Sequence, residues 1–101
     1  MAVKHFKTEE FNAAVEAAPL AMVDFWASWC GPCKMLAPVL EQFAAAHPEV
    51  VVAKANVDEN PELAMMYRIA AVPTLMVFKN GEKTNQTTGY VSLDVLEDLV
   101  K

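Results

Sequence analysis

The chain has 101 residues, 54% of them hydrophobic, with only 3 Gly, a size and make-up expected of one packed domain, 1–101, and not of a disordered tail. Its net charge of -5 at pH 7, with no cluster of Lys or Arg, argues against general nucleic-acid binding and against adhesion to anionic membrane surfaces. The N-terminus has no apolar core of signal-peptide length, and no run approaches the roughly 18 apolar residues of a membrane helix, so a cytoplasmic protein is expected, with monomer as the default state.

Thr8 is placed to cap a first helix, with Glu9 and Glu10 in its first turn and Phe11, Ala14 and Val15 on one face; Pro19 closes it. Leu20 to Trp26 is apolar nearly throughout, as in a central strand covered on both sides. A helix follows from about Cys33 to His47, with Met35, Leu36, Val39, Leu40 and Phe43 at helical spacing and a kink predicted at Pro38. Val50 to Val57 reads as a second buried strand. Asn60-Pro61 then starts a short helix through Tyr67. Thr74 to Lys79 and Glu82 to Thr88 form a hairpin around Asn80-Gly81, and the polar second strand belongs at an edge. Ser92 caps a last helix with Leu93, Leu96, Leu99 and Val100 facing inward. The predicted order is strand, helix, strand, helix, strand, helix, strand, strand, helix, an α/β arrangement whose late hairpin makes the sheet mixed. The six Met residues, Met65 and Met66 included, are expected to fill the core.

Chemistry concentrates at Trp29-Cys30-Gly31-Pro32-Cys33, which holds both cysteines of the chain. Two thiols separated by two residues can close a small ring. At the step from a buried strand to a helix, unpaired N–H groups and the helix dipole favour a thiolate on Cys30. A zinc or iron–sulfur site needs about four ligands, and beyond the thiols only His5 and His47 are soft candidates, without paired spacing. Redox chemistry is therefore favoured, and no metal site is assigned. Asp24 is a charge inside an apolar strand, where carboxylates are seldom buried without a partner. It is either a base with a raised pKa that takes the proton of Cys33, or a polar residue satisfied by hydrogen bonds or exposed at an edge. Lys54 is a second charge in an apolar strand, and a solvent-facing lysine is as consistent with the pattern. Pro73 reads by default as an ordinary loop proline, and Gly89 as a turn residue. Trp29, before an open helix end, is expected to be exposed, and Trp26 to pack beneath the site.

The string from Val23 to Lys34, VDFWASWCGPCK, resembles the active-site segment of the thioredoxin family very nearly letter for letter. Three further segments fall in that family's order: Asn56-Val57-Asp58-Glu59-Asn60-Pro61, Val72-Pro73-Thr74-Leu75 and Phe78-Lys79-Asn80-Gly81. The resemblance implies the thioredoxin fold, a central mixed sheet of about five strands flanked by about four helices. It implies a thiol-disulfide oxidoreductase, a general protein-disulfide reductase, in which Cys30 attacks a client disulfide and Cys33 resolves the mixed disulfide. Asp24 would be the base, Lys54 the lysine that approaches it, and Gly31 and Pro32 the residues that tune the pair toward reduction, where a histidine would favour oxidation. Pro73 would be cis beside the disulfide, leaving the preceding backbone free to pair with a bound peptide. Trp29, Gly31, Val72, Pro73, Gly89 and Tyr90 would present a flat apolar contact surface to partners. No bound cofactor is implied, only a reversible Cys30–Cys33 disulfide. The electrons would come from NADPH through a flavin-dependent thioredoxin reductase, and clients would be disulfide-containing proteins. Two positions depart from the family pattern: Ala71, where Gly or Ser is frequent, and Tyr90, where a small residue is common. A non-catalytic scaffold that keeps the fold is the rival reading, and the intact cysteine pair with Asp24 argues against it.

Overall fold

The computed structural model describes the backbone of residues 3–5 and 8–101, with the side chains of residues 3, 11 and 13–101. In chain order the elements are β1 (Val3–His5), α1 (Thr8–Ala17), β2 (Leu20–Trp26), α2 (Gly31–Ala46), β3 (Val51–Asn56), α3 (Pro61–Met66), β4 (Thr74–Lys79), β5 (Glu82–Thr88) and α4 (Leu93–Leu99). The strands form one sheet in the order β1-β3-β2-β4-β5. β3 runs parallel to β1 and β2, while β4 runs antiparallel to β2 and β5. The mixed sheet and its flanking helices are the thioredoxin fold.

Alternation along the strands divides the core between the two faces of this sheet. Met22, Val52, Leu75 and Val77 pack with Leu36, Leu40 and Phe43 of α2 and Leu96 of α4. Ala21, Val23, Phe25, Met76 and Phe78 face the other way, against Phe11 and Val15 of α1 and Leu63 of α3. β2 therefore carries an apolar residue at nearly every position because both of its faces are covered. Asp24 shares the α2 face with Met22, and it is the one acidic residue on a strand buried from Ala21 to Phe25.

Several expectations need correcting. The helix of the cysteines begins at Gly31 rather than Cys33, with Pro32 in its first turn, where a missing N–H costs nothing. Pro38 lies inside this helix, where the sequence placed it. The methionines are not uniformly core: Met22 and Met76 are fully buried, whereas Met35, Met65 and Met66 are exposed. α3 is short, and Leu63 is its only buried residue, so Met65 and Met66 have no interior to fill. Met35 lies on the outer stripe of α2, four residues from Gly31. Asn60 stands at the N-cap of α3, but its Nδ2 donates to the Asn56 carbonyl instead of its oxygen capping the helix. Ser92 has extended N-cap backbone and makes no side-chain cap bond. The Thr8 cap, with Glu9 and Glu10 behind it, lies outside the described side chains, as do His5 and Met1. Asn80 and Gly81 both have positive φ, the conformation the tight hairpin requires.

The far end of α2 carries a second electrostatic feature. His47 stacks on Phe43, and its Nε2 lies 2.8 Å from Glu97 Oε2 on α4. Its Nδ1 lies 3.4 Å from Glu49 Oε2. Carboxylates only accept, so the two contacts favour the doubly protonated ring. The Glu97 hydrogen bond leads in raising its pKa above the usual 6.5, with Glu49 adding to it and desolvation opposing. A cation with a raised folded pKa contributes stability below its unfolded pKa and loses that contribution as pH rises through the folded one. His47→Gln should therefore lower the urea midpoint at about pH 6 and leave it nearly unchanged at about pH 9. An equal loss at both pH values would show packing on Phe43, not charge, to be the contribution.

Candidate active site

The end of β2 and the start of α2 bring the two sulfurs together. Cys30 is the N-cap of α2, with extended backbone at φ -91 and ψ 113. This turn aims the first N–H groups of the helix at the Cys30 side chain: the Cys33 N–H donates to Cys30 Sγ at 3.1 Å. Cys30 and Cys33 are joined in a disulfide with their Cα atoms 5.2 Å apart. Both are buried, and with Ala27 they form a small cluster packed by Trp26, Val57 and Val72. The Val72 carbonyl oxygen lies 3.6 Å from Cys30 Sγ. A Cβ added to Gly31, between the cysteines, would meet no atom within 4 Å beyond its chain neighbours and its own helix backbone.

Asp24 is fully buried, and neither of its carboxylate oxygens has a hydrogen-bond partner among the described residues. Burial pushes its carboxyl from 3.8 up to about 7, and the Lys54 charge pulls it only partly back. The parallel register pairs Asp24 with Lys54 and so sets both side chains on the α2 face. Lys54 is half-buried with its ammonium 4.5 Å from the Trp26 ring centroid, a cation–π contact, so it is no ordinary solvent-facing lysine. This face thus holds an acid that is neutral or charged near physiological pH, below the helix that carries the cysteines.

The Val72–Pro73 peptide is cis, in accord with the resemblance. It lies just ahead of β4, held by the Thr74 hydroxyl donating to the Ala71 carbonyl at 2.7 Å and by the Gly89 N–H donating to the Pro73 carbonyl at 2.8 Å. Gly89 has φ +95, a backbone conformation that a side chain would strain. Trp29 is 70% exposed. It and Val72 line one groove of about 180 Å³ with Val57, Ile69, Ala70 and Ala71. Gly89 and Tyr90 lie outside that lining, and Tyr90 is exposed. Sequence reasoning missed Val57, Ile69 and Ala70, and it missed Asp58, whose Oδ2 accepts from Trp29 Nε1 at 3.0 Å. The only signal was the Asn56–Pro61 segment, which matched the family without suggesting a role for any of its residues. Among the described residues, no three His, Cys, Asp or Glu side chains are grouped to hold a metal, and no helix is long and apolar enough to cross a membrane.

A disulfide closing the first turn of a helix, at the end of a central strand and above a buried acid, defines a thiol-disulfide oxidoreductase. The family model described as Thioredoxin matches residues 2–101, and the chain belongs to that family. It is 51% identical over 88 residues to a thioredoxin of Alicyclobacillus acidocaldarius, covering 86% of this chain and 84% of the relative. A mutant thioredoxin from Halobacterium salinarum superposes with a TM-score of 0.91 at 37% identity, covering 97% of this chain and 87% of that one. A chain from a study of thiol resolution in yeast mitochondrial 1-Cys peroxiredoxin via glutathione/thioredoxin systems gives a TM-score of 0.89 at 28% identity, covering 96% of this chain and 92% of that one.

Proposed function

We propose that residues 1–101 act as a single domain that reduces protein disulfides, with Cys30 as nucleophile and Cys33 as resolving thiol. The observation that carries this reading is the placement of Cys30 Sγ at the N-cap of α2, accepting the Cys33 N–H at 3.1 Å. In the dithiol state the same donor and the helix dipole favour a thiolate on Cys30. That thiolate attacks one sulfur of a client disulfide; a Cys30–client bond forms as the client S–S bond breaks, and the first client sulfur leaves as thiolate. Cys33 then loses its proton and attacks Cys30. The Cys30–Cys33 disulfide closes, and the client leaves with its second thiolate, having gained two electrons.

Asp24 accepts the Cys33 proton in this scheme, and its pKa of about 7 suits a base working near neutrality. Lys54 limits how far that pKa rises. Gly31 and Pro32 tune the pair without touching the client chemistry directly. Trp29, Val72, Pro73, Gly89 and Tyr90 form the contact surface for an extended client segment. The electrons that reopen the disulfide come from NADPH through a flavin-dependent thioredoxin reductase, which with disulfide-bearing clients is the expected partner. The peroxiredoxin named in one similar structure suggests a client class that regenerates through a disulfide. The protein works as a cytoplasmic monomer. Insulin reduction driven by dithiothreitol tests the function: wild-type protein should accelerate precipitation of the insulin chains. No acceleration would leave a scaffold module as the reading.

A further inference from the structure

We infer that Asp58 is a positioning residue that fixes the Trp29 indole as one wall of the client groove. This rests on the reductase reading above and adds a residue to which that reading gives no part. Trp29 stands on the loop between β2 and α2 with most of its surface exposed, and an exposed side chain of that kind loses rotamer freedom when a partner docks. Here the freedom is already restricted. The Trp29 Nε1–H donates to Asp58 Oδ2 at 3.0 Å, a hydrogen bond assisted by the carboxylate charge.

Asp58 is itself held. Its backbone N–H donates to Asn56 Oδ1 at 2.9 Å, and the Glu59 N–H reaches the same oxygen at 3.4 Å. The Asn56 carbonyl accepts from Asn60 twice, through the backbone N–H at 2.9 Å and through Nδ2 at 3.0 Å. The turn between β3 and α3 is thus closed on its own side chains before any client arrives. One of its residues reaches across to the tryptophan beside the nucleophile. The other lining residues, Val57 and Ile69 to Val72, carry only small or branched apolar side chains, with no side-chain acceptor for an indole N–H. Asp58 supplies that acceptor from the turn.

The consequence is confined to docking. Asp58→Ala should raise KM for insulin roughly two- to tenfold, the range expected when one aromatic side chain must be immobilised on binding, with kcat unchanged. Reduction of hydroxyethyl disulfide, too small to use the groove, should proceed at the wild-type rate. Asp58→Asn keeps an oxygen acceptor and should restore the insulin KM. The effects of Trp29→Phe and Asp58→Ala on KM should not add, because both remove the same hydrogen bond. In a Trp26→Phe background, fluorescence anisotropy should show faster indole motion with Asp58→Ala. An unchanged KM, or an Asp58→Asn variant as impaired as Asp58→Ala, would overturn the inference; the second result would make rim charge the cause. A parallel loss on hydroxyethyl disulfide would place Asp58 in the thiol chemistry and overturn it too. Failure of the wild type on both substrates would instead sink the reductase reading itself.

Discussion

Replacing Cys33 with serine is expected to turn the protein into a trap for its clients. Cys30 keeps its N-cap position, and the donor at 3.1 Å from its sulfur is the backbone N–H of residue 33, which the substitution leaves in place. Attack on a client should therefore still occur, but without a resolving thiol the mixed disulfide persists. Cys30→Ser removes the attacking sulfur and should give no adduct. Both variants should lose insulin turnover to background. Non-reducing electrophoresis of each variant, incubated with an oxidised client, separates the two: adducts with Cys33→Ser and none with Cys30→Ser. The reverse pattern would exchange the two roles.

The second large effect belongs to Asp24, where stability and catalysis are expected to move in opposite directions. Its folded pKa of about 7 stands above the ordinary 3.8, so between those values the native state holds a proton that the unfolded chain has released. Stability from this group is full below the unfolded pKa, falls as pH rises through the window, and levels off above the folded pKa. A shift of this size corresponds to a penalty on the order of 4 kcal/mol at mildly alkaline pH. Asp24→Ala should raise stability by about 1–4 kcal/mol at about pH 8 and by far less at about pH 4, with the cavity left behind offsetting part of the gain. Urea melts at the two pH values check the sign. Single-turnover client reduction should show a slower Cys33 step, because the base that takes its proton is gone. A variant that is less stable at neutral pH and reduces clients at the wild-type rate would make Asp24 an ordinary structural residue.

Much of this architecture was legible because local signals and burial agree. β2 reads as a central strand since both of its faces are covered, and the Asn80-Gly81 hairpin follows from two residues that accept positive φ. The start of α2 was misplaced by two residues because Gly and Pro count against a helix interior, although they suit its first turn. The methionines misled for a different reason. Apolarity predicts burial only where an element has an inward face to spare, and α3 has room for Leu63 alone. Lys54 stayed ambiguous until the register set it beside Asp24, since one strand's sequence does not reveal which neighbour faces it. The Trp29–Asp58 bond spans 29 positions and joins two loops, so no periodicity in the chain could have exposed it.

The open space around position 31 separates two properties that are usually tied together. At most glycines the backbone or a neighbour forbids a side chain, and variation there damages the scaffold. Around Gly31 no atom beyond its chain neighbours and its own helix backbone stands within 4 Å of where a Cβ would sit, so a side chain can leave the backbone there without displacing a neighbour at its first carbon. A first-turn helix position without φ constraint also tends to gain a few tenths of a kcal/mol, up to about 1, when Gly gives way to Ala. Selection or design can therefore change the electronic surroundings of the dithiol one residue at a time while the sheet, the core and the groove stay fixed. Electron-transfer behaviour in this scaffold can drift between tasks without first rebuilding the molecule that carries it.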